Sequence, residues 1–226
     1  QRADAVVCST PEQADKLERF TSNAHVVLDL HGEVEPLAPR STAGDGRLEV
    51  VWEGMHPTLA AIEQVLPALR RLGTGLELTL HLVTDLQSPR FMNRFGVRKV
   101  TEIVAGWGID VRVHEWSARN LRAVAMTADL AIVPVQLHDP YTVGKPENRL
   151  RIFWRLGFPV VVSDTPSHRR AMNLAGLSDQ SLCTTAGDWM EALGRYAGDH
   201  ELRSVDGELG HAAALGPYGD PTVLAG

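Results

Sequence analysis

The chain has 226 residues, an apolar fraction of 44% and a formal net charge of -6 at pH 7. This length and composition fit one large α/β unit with a sizeable core. The net negative charge argues against nucleic-acid binding unless there is a local basic patch, and the sequence shows none. The apolar runs are far shorter than the ~20 residues that span a bilayer, and the amino terminus lacks the basic start and apolar core of a signal peptide. We therefore expect a soluble, cytoplasmic protein.

The first elements predict a strand, a helix and a second strand. The chain begins without Met and almost directly in the strand-like run DAVVCS, as if cut from a longer polypeptide. Thr10 and Pro11 are typical of a helix start, which predicts a helix over TPEQADKLERF, and HVVLDL is the second strand. Residues 31–47 are rich in Gly, Pro and charge without a period, which indicates a linker or a long crossover and a domain boundary.

The middle of the chain continues this alternation. LEVVWEG is a strand that ends in glycine. The apolar residues of 57–72 recur at spacings of three and four, which predicts a helix with one buried stripe and a kink at Pro67. A strand over 76–85, a helical region over 90–108 and a strand over 109–116 follow.

The last third repeats the pattern and decides the fold class. Ser117 can cap the helix ARNLRAVAMTA, and DLAIVPV is the next strand. The long loop QLHDPYTVGKPEN leads into a helix and the strand FPVVVSD, and a final strand and helix, QSLCTTA and GDWMEALGRYAG, precede a polar, Gly-rich tail. Helices that alternate with near-continuous apolar strands predict an α/β fold with a doubly wound, Rossmann-like parallel sheet.

Several well-known kinds of site are absent from the sequence. It contains no G-x-G-x-x-G, no G-x-x-x-x-G-K-[ST] and no G-x-S-x-G, and its His and Asp residues lack metal-ligand spacing. We therefore expect neither a metal nor a cofactor. Cys8 and Cys183 lie in apolar runs, which predicts two buried, reduced thiols rather than a disulfide.

The long loop before Asn148 is the first candidate site, because doubly wound sheets bind ligands beyond the carboxyl ends of their strands. It exceeds the roughly two to six residues usual for such loops. It ends at a helix start, where free backbone N–H groups and a partial positive charge favour phosphate, and Lys145, Asn148 and Arg149 would add a pyrophosphate or phosphosugar cradle. The alternative is that Asn148 and Lys145 are solvated and that Arg149 pairs with a nearby acid.

Three other residues follow strands at the same predicted edge. Gly54 would let the backbone approach a diphosphate, although a glycine there also fits a simple turn. His56 would donate to a phosphate or act as a solvated or capping residue. Trp116 would flank a base or pack at the rim, whereas Trp107 and Trp154 are expected in the core.

The order of these segments resembles the carboxyl half of GT-B glycosyltransferases, in the group of retaining, nucleotide-sugar-dependent enzymes with a "glycosyl transferases group 1" carboxyl domain. The resemblance runs from Ala3 to about Ala197 and rests on ADAVVCSTPEQADKL, AHVVLDLHGE, LEVVWEG, LELTLHLVTD, VRVHEW, ADLAIVPV and KPENRLRIFWRLGFPVVVSD. It implies that residues 1–33 are a remnant of the amino-terminal GT-B domain, residues 34–47 a linker, and residues 48–226 a nucleotide-sugar-binding Rossmann-like domain.

The resemblance also implies roles for site residues. Lys145, Asn148 and Arg149 are similar to a K-x-x-N-[KR] donor loop, in which the lysine contacts the diphosphate and the polar pair contacts the phosphosugar or ribose. Gly54 would be the glycine of the first phosphate loop, and Trp116 and Ser117 would lie at the base.

The sequence departs from the family in its acidic and basic positions. The two glutamates of the family's E-x7-E pattern would fall at Gly144 and Ile152. The basic residue that often follows the first strand is not obvious, and His56 is the nearest candidate. Most of the amino-terminal domain is absent, so the piece alone is not expected to catalyse.

The leading hypothesis is a hexosyl- or related glycosyltransferase that transfers a sugar from a nucleotide-diphosphate sugar to an unknown acceptor, this piece binding the donor. The acceptor is a glycan, a lipid or a small molecule, and peripheral membrane association of the full-length protein is compatible with the resemblance. The alternatives are a non-catalytic nucleotide-sugar-binding or scaffold domain of the same fold, and a sugar epimerase of GT-B architecture.

Overall fold

A parallel six-stranded sheet lies at the centre of the protein, and helices cover both of its faces. The computed structural model describes residues 3–40, 46–89 and 96–219. The strands are β1 (Val6–Cys8), β2 (Ala24–Val26), β3 (Arg47–Glu53), β4 (Glu77–Thr84), β5 (Gln87–Pro89), β6 (Val97–Lys99), β7 (Asp110–Glu115), β8 (Leu130–Val133), β9 (Val160–Ser163) and β10 (Leu182–Cys183). The helices are α1 (Pro11–Leu17), α2 (Leu66–Leu72), α3 (Val100–Val104), α4 (Ala118–Ala125), α5 (Pro140–Val143), α6 (Asn148–Arg155), α7 (Pro166–Leu174), α8 (Ala186–Gly198) and α9 (His200–Leu215), with 3-10 segments at His56–Gln64 and Asp179–Ser181.

The strand order of the central sheet is β10-β9-β8-β3-β4-β7, and all of its pairs are parallel. From β3 the chain builds outward through β4 and β7, then returns to the other side of β3 and builds through β8, β9 and β10. The direction of winding therefore reverses between β3 and β8, which is the place where doubly wound sheets bind ligands. The predicted fold class is confirmed.

Each face of the sheet has its own apolar core. Alternate residues of a strand point to opposite faces, so Val51 and Val133 pack with α4, α6 and α7, whereas Val50 and Trp52 pack with α2, α8 and the 3-10 segment that follows β3. Removing one such buried side chain typically costs about 2–5 kcal/mol. These two cores hold the ends of β3 and β8 in place, and the candidate site begins at those ends.

The predicted helix over 57–72 divides into two parts rather than bending. The 3-10 segment His56–Gln64 is followed by α2, and Pro67 lies in the first turn of α2. Proline is tolerated there because the first backbone N–H groups of a helix have no acceptor within it. The kink predicted at Pro67 is thus a boundary between two helical segments.

The predicted polar tail is wrong, because residues 200–215 form α9. This helix packs on α6, and two of its glycines make the close approach possible. A Cβ on Gly207 would lie 2.9 Å from the carbonyl oxygen of Gly157, and one on Gly210 would overlap the ring of Trp154. The glycines that indicated a tail in the sequence are contact positions in the tertiary structure.

The predicted helical region over 90–108 is confirmed only in part. Residues 90–95 lie outside the described residues. Beyond them the chain forms β6, which pairs antiparallel with β5, and then the short helix α3. Cross-strand pairing with β5 explains the extended conformation at residues 97–99, and nothing in the local sequence indicated that partner.

The four residues predicted to be buried in strands and helices are buried. Cys8 and Cys183 are free thiols, and Trp107 and Trp154 belong to the apolar interior. Burial raises the pKa of the Cys183 thiol to about 12, which keeps it protonated.

The amino-terminal segment packs against the rest of the chain. Its strands β1 and β2 form a two-stranded parallel sheet, and Thr10 caps α1 as predicted. The Nε2 of Gln13 donates to the carbonyl oxygen of Gly144, at 2.7 Å. Within residues 34–40, the N–H of Leu37 donates to the carbonyl oxygen of Arg155, at 3.0 Å. The predicted domain boundary therefore lies in a segment that contacts α6.

Candidate functional site

A cavity of about 350 Å³ opens at the switch point between β3 and β8, and we call it cavity 1. The 3-10 segment after β3 forms one wall, and the chain after β8 and the start of α7 form the others. Its lining residues are Pro57, Thr58, Ala61, Val133, Pro134, Val135, Gln136, Thr142, Lys145, Pro146, Asn148, Arg149, Thr165 and His168. The structure thus brings together the three residues of the predicted donor loop.

The long loop is folded, and its folding places Lys145 at the cavity. Helix α5 forms within it, and the Thr142 hydroxyl donates to the carbonyl oxygen of Gln136, at 2.8 Å. The carbonyl oxygen of Lys145 accepts a bond from the Ser167 hydroxyl, at 2.9 Å. The Lys145 ammonium lies 4.9 Å from the ring centre of Tyr141 and makes no ion pair within the described residues. It is therefore available to an anionic ligand.

Helix α6 begins at the cavity without a side-chain cap. Glu147 occupies the N-cap position, but its carboxylate bonds to Arg170 at 3.1 Å and makes no capping bond. The first backbone N–H groups of α6 consequently have no side-chain acceptor. The side-chain Nδ2 of Asn148 donates to the carboxylate of Asp29, and this bond connects the start of α6 to the amino-terminal segment.

Arg149 lies between cavity 1 and the end of β3. Its Nη1 is 3.5 Å from the carbonyl oxygen of Glu53, a long contact. Burial lowers the pKa of the Arg149 guanidinium, and the Glu53 carboxylate opposes that shift. Burial in turn raises the pKa of Glu53, against the opposite effects of Arg149 and Trp116. Arg149 therefore both lines the cavity and lies beside an acid, so the two readings of its sequence position are compatible.

A second cavity of about 920 Å³ lies beyond the ends of β3, β4 and β7, and we call it cavity 2. It is the more open of the two and contains three carboxylates and an exposed indole. Its lining residues are Glu53, Gly54, Met55, His56, Asp85, Leu86, Gln87, Val97, Glu115 and Trp116. Gly54, His56 and Trp116, which the sequence placed at one site with Lys145, thus lie in a neighbouring cavity.

Glu53 fixes the orientation of Trp116. The indole N–H donates to Glu53 Oε1 at 2.8 Å, while half of the Trp116 side chain remains exposed. A tethered aromatic ring with a free face is suited to stacking on a planar ligand. Glu53 was not among the predicted site residues, and its place at the end of a strand before glycine was the only signal for it.

The other predicted residues at this edge have structural partners. The backbone N–H of His56 donates to Asp85 at 3.1 Å, and its Nδ1 lies 3.3 Å from the same oxygen. A Cβ on Gly54 would lie 2.7 Å from the Trp52 ring, so glycine is required for packing. Ser117 caps α4 by accepting the N–H of Asn120 at 3.0 Å. The predicted contacts of Gly54, His56 and Ser117 with a ligand remain predictions.

His168 lines cavity 1 and was missed in the sequence. It is nearly fully buried at the start of α7, and its Nδ1 lies 2.8 Å from the carbonyl oxygen of Ser163. Burial is the main cause that lowers its pKa to about 4, with a smaller contribution from Arg149. The imidazole is therefore neutral at physiological pH. The run TPSHRR gave no signal of this position, because it depends on how α7 packs on β9.

The described residues contain neither a metal-binding cluster nor a membrane-spanning helix. Among residues 3–40, 46–89 and 96–219, no cluster of His, Cys, Asp and Glu has a geometry that would hold a metal ion. No helix in the same ranges is long and apolar enough to cross a membrane.

Comparisons with known proteins identify the fold but no close relative. No protein-family model and no curated protein matches the sequence. TarM of S. aureus, solved as a mutant in complex with fondaparinux, alpha-GlcNAc-glycerol and UDP, superposes with a TM-score of 0.69 and 11% identity over 98% of this chain and 42% of TarM.

Two further solved structures superpose equally well. WaaG, a glycosyltransferase involved in lipopolysaccharide biosynthesis, has a TM-score of 0.67 and 11% identity over 97% of this chain and 60% of WaaG. Sucrose-phosphate synthase of Thermosynechococcus elongatus has a TM-score of 0.67 and 15% identity over 99% of this chain and 57% of that enzyme. The predicted resemblance in fold to GT-B glycosyltransferases is confirmed, and the chain spans about 42% to 60% of the length of these three proteins.

Proposed function

We propose that this chain is the donor-binding half of a GT-B glycosyltransferase that uses a nucleotide-diphosphate sugar. One observation carries the proposal: Lys145 and Arg149 line the same cavity, at the switch point of a sheet with this fold. The sugar is a hexose or a related sugar, and the acceptor, a glycan, lipid or small molecule, binds outside the chain described above.

The diphosphate of the donor binds in cavity 1. Lys145 has no ion partner of its own within the described residues, and Arg149 supplies a second cation. The uncapped start of α6 adds backbone N–H donors and a partial positive charge. Asn148, the first residue of α6, lies beside the phosphosugar or ribose.

The base of the donor binds in cavity 2 against the free face of Trp116. The carboxylates of Glu53, Asp85 and Glu115 line this cavity and would repel a diphosphate, so the phosphates are directed to cavity 1. Gly54 and His56 line cavity 2 next to Pro57, which lines cavity 1. They therefore lie beside the part of the donor that joins the base to the diphosphate.

The chemistry supported by this arrangement is departure of an anionic leaving group. The bond from the anomeric carbon to the diphosphate oxygen breaks, and its electron pair leaves with the nucleoside diphosphate. The oxygen of the acceptor hydroxyl forms the new glycosidic bond, and its proton passes to the departing diphosphate. Lys145, Arg149 and the start of α6 stabilise the charge that develops on the diphosphate, the kind of interaction that is stronger in the transition state than in the ground state.

The amino-terminal segment, residues 1–33, belongs in this proposal to the other GT-B half. Its two-stranded sheet exposes Val7 and Val26, and Phe20 is also exposed, although parallel sheets are usually covered on both faces. Residues 34–47 link it to the donor-binding domain, residues 48–226. The isolated piece is accordingly expected to bind the donor without turning it over.

Calorimetric titration tests the proposal. UDP, GDP and ADP are titrated into the wild-type chain and into the double variant Lys145→Ala with Arg149→Ala. Because the double variant loses two charge-assisted contacts, its affinity for the nucleotide is expected to fall by about 100-fold or more. The control, Arg71→Ala with Arg19→Ala, removes two exposed cations that line neither cavity and should bind normally. Failure of all three nucleotides to bind would refute the proposal.

A second candidate function is a non-catalytic nucleotide-sugar-binding or scaffold domain. It is favoured by the residues at the positions of the family's acidic pair, because Gly144 has no side chain and Ile152 packs against the apolar core. Both functions predict donor binding. Turnover of a nucleotide sugar by the full-length protein would support the glycosyltransferase, and binding without turnover would support the scaffold.

A further inference from the structure

His168 lines cavity 1, and within the described residues the structure shows a protein partner for only one of its two ring nitrogens. The cap of α7 fixes its backbone, because the Thr165 hydroxyl accepts the N–H of His168 at 3.2 Å. Its Nδ1 lies 2.8 Å from the carbonyl oxygen of Ser163. A carbonyl oxygen only accepts, so Nδ1 carries the proton. Nε2 is then the ring nitrogen left for a ligand.

The charge state of His168 determines which ligand group it recognises. With a pKa of about 4, the ring is neutral at physiological pH, so Nε2 has a lone pair and no proton. The Arg149 guanidinium nearby contributes to this low pKa. A neutral Nε2 cannot donate to a phosphate oxygen, since both atoms are acceptors. It requires a ligand O–H or N–H.

Cavity 1 therefore offers two kinds of contact. Lys145, Arg149 and the start of α6 attract phosphate oxygens, whereas His168 needs a hydrogen-bond donor in the same cavity. A phosphate ester of a sugar provides both groups, because its hydroxyls donate and its phosphates accept. A free nucleoside diphosphate provides only phosphate oxygens in this cavity and no hydroxyl for His168.

We infer that His168 is a specificity-determining residue that accepts a hydrogen bond at Nε2 from a hydroxyl group of the donor sugar. This inference rests on the proposed function, since it assigns the sugar end of the same donor to cavity 1. The residue thereby favours the intact nucleotide sugar over the nucleoside diphosphate that remains after transfer.

Two substitutions separate this role from a structural one. His168→Asn keeps an N–H group near the position of Nδ1, and hence the bond to Ser163, but removes the atom at Nε2. His168→Gln places an amide near the position of Nε2 and loses the bond to Ser163. The control is His200→Asn, at an exposed position at the start of α9.

The measured quantity is the ratio of the dissociation constants of nucleotide sugar and nucleotide, by calorimetry, for the pairs UDP-glucose and UDP, GDP-mannose and GDP, and ADP-glucose and ADP. For the pair that binds the wild type, His168→Asn should raise this ratio about fivefold, the size of one hydrogen bond. His168→Gln and the control should leave it within about twofold.

The outcomes distinguish this inference from the proposed function. If no nucleotide binds the wild-type chain, the proposed function fails and this inference with it. If nucleotides bind and His168→Asn leaves the ratio unchanged, the inference alone is refuted. An unchanged ratio with His168→Asn and a raised ratio with His168→Gln would show that only the bond to Ser163 matters, which also refutes it. Circular dichroism spectra and melting temperatures establish that each variant is folded.

Discussion

Two cavities share the carboxyl edge of the central sheet, and they differ in charge. Cavity 1 contains Lys145 and Arg149 and, within the described part of the chain, has no carboxylate in its lining. Cavity 2 contains the carboxylates of Glu53, Asp85 and Glu115. The two meet at Arg149 and Glu53: Nη1 of Arg149 lies 3.5 Å from the main-chain carbonyl oxygen of Glu53, and the guanidinium and the Glu53 carboxylate influence each other's pKa.

This difference shows how one sheet edge can bind a ligand with two unlike ends. Opposite charges attract a diphosphate to cavity 1, and like charges exclude it from cavity 2. A neutral, planar base has no such penalty in cavity 2, where Trp116 offers a free aromatic face. The ends of the donor are thus separated by electrostatics as well as by shape.

The largest expected effect comes from making the two cavities alike in charge. Arg149→Glu would put a carboxylate into cavity 1 beside Glu53, and we expect nucleoside diphosphates to bind at least about 100-fold more weakly. Calorimetry with UDP, GDP and ADP measures this change, and free pyrophosphate should lose affinity in parallel. Affinity within about twofold of wild type would contradict the assignment of the phosphates to cavity 1.

A smaller effect is expected from removing the aromatic face of cavity 2. Trp116→Ala should weaken nucleoside diphosphate binding by roughly 10-fold to 100-fold, because stacking on one base contributes about 1–3 kcal/mol. Pyrophosphate binding should stay unchanged, since it has no base. Trp116→Phe keeps an aromatic ring but loses the bond to Glu53. Its affinity for nucleoside diphosphates should lie between those of the wild type and Trp116→Ala. Equal losses for nucleotide and pyrophosphate would show that Trp116 acts on the phosphate site instead.

Removing the charge at the border should strengthen binding slightly. Glu53→Gln keeps an acceptor for Trp116 but no longer neutralises Arg149, so nucleoside diphosphates should bind roughly twofold to fivefold more tightly, as for one partly screened charge pair. Weaker binding would indicate that the Glu53 carboxylate itself contacts the donor.

The same variant has an expected pH signature. The pKa of Glu53 is raised from its ordinary value of 4.5 by burial, so folding favours its protonated form. That contribution is present below pH 4.5 and is lost as the pH rises through the raised pKa. Glu53→Gln should therefore exceed the wild type in free energy of unfolding at pH 7, and the difference should shrink toward pH 4.5. Urea denaturation at both pH values measures it, and a constant difference would contradict the shift.

The smallest effect on binding is expected from Ser117→Ala. Its hydroxyl caps α4, so the variant should lose about 1 kcal/mol in the free energy of unfolding. Nucleotide affinity should change by less than about twofold, because the hydroxyl already accepts the N–H of Asn120. A selective loss of nucleotide affinity with pyrophosphate unaffected would instead support the predicted position of Ser117 at the base.

Much of the fold could be predicted because its signals are local. The caps Thr10 and Ser117 were recognised from residue type and position, and both form the predicted bonds. The apolar runs of β3, β4, β8 and β9 predicted a sheet covered on both faces. Helix α9 was missed because its apolar contacts depend on glycines, and only the surface of α6 shows why Gly207 and Gly210 are needed.

Only the part of the candidate site at the start of α6 could be predicted from the sequence. Lys145, Asn148 and Arg149 lie close together in the chain, at a helix start, so their proximity in space follows from local structure. Glu53 and its partner Trp116 lie 63 residues apart, and they meet only because β3, β4 and β7 are neighbours in the sheet. His168 bonds to Ser163 only five residues away, but its place in the lining of cavity 1 depends on the packing of α7 against β9.

Local patterns in the amino-acid sequence are sufficient to predict the alternation of strands and helices, the long loop after β8 and the cations at its end, because these depend on periodicity, capping and residue type within short segments. The division of the predicted residues between two cavities of opposite charge is visible only in the folded chain. That division depends on the order of the strands in the sheet, which places the ends of β3 and β8 side by side and those of β4 and β7 beyond them. Strand order is set by packing between distant segments, and local patterns do not contain it.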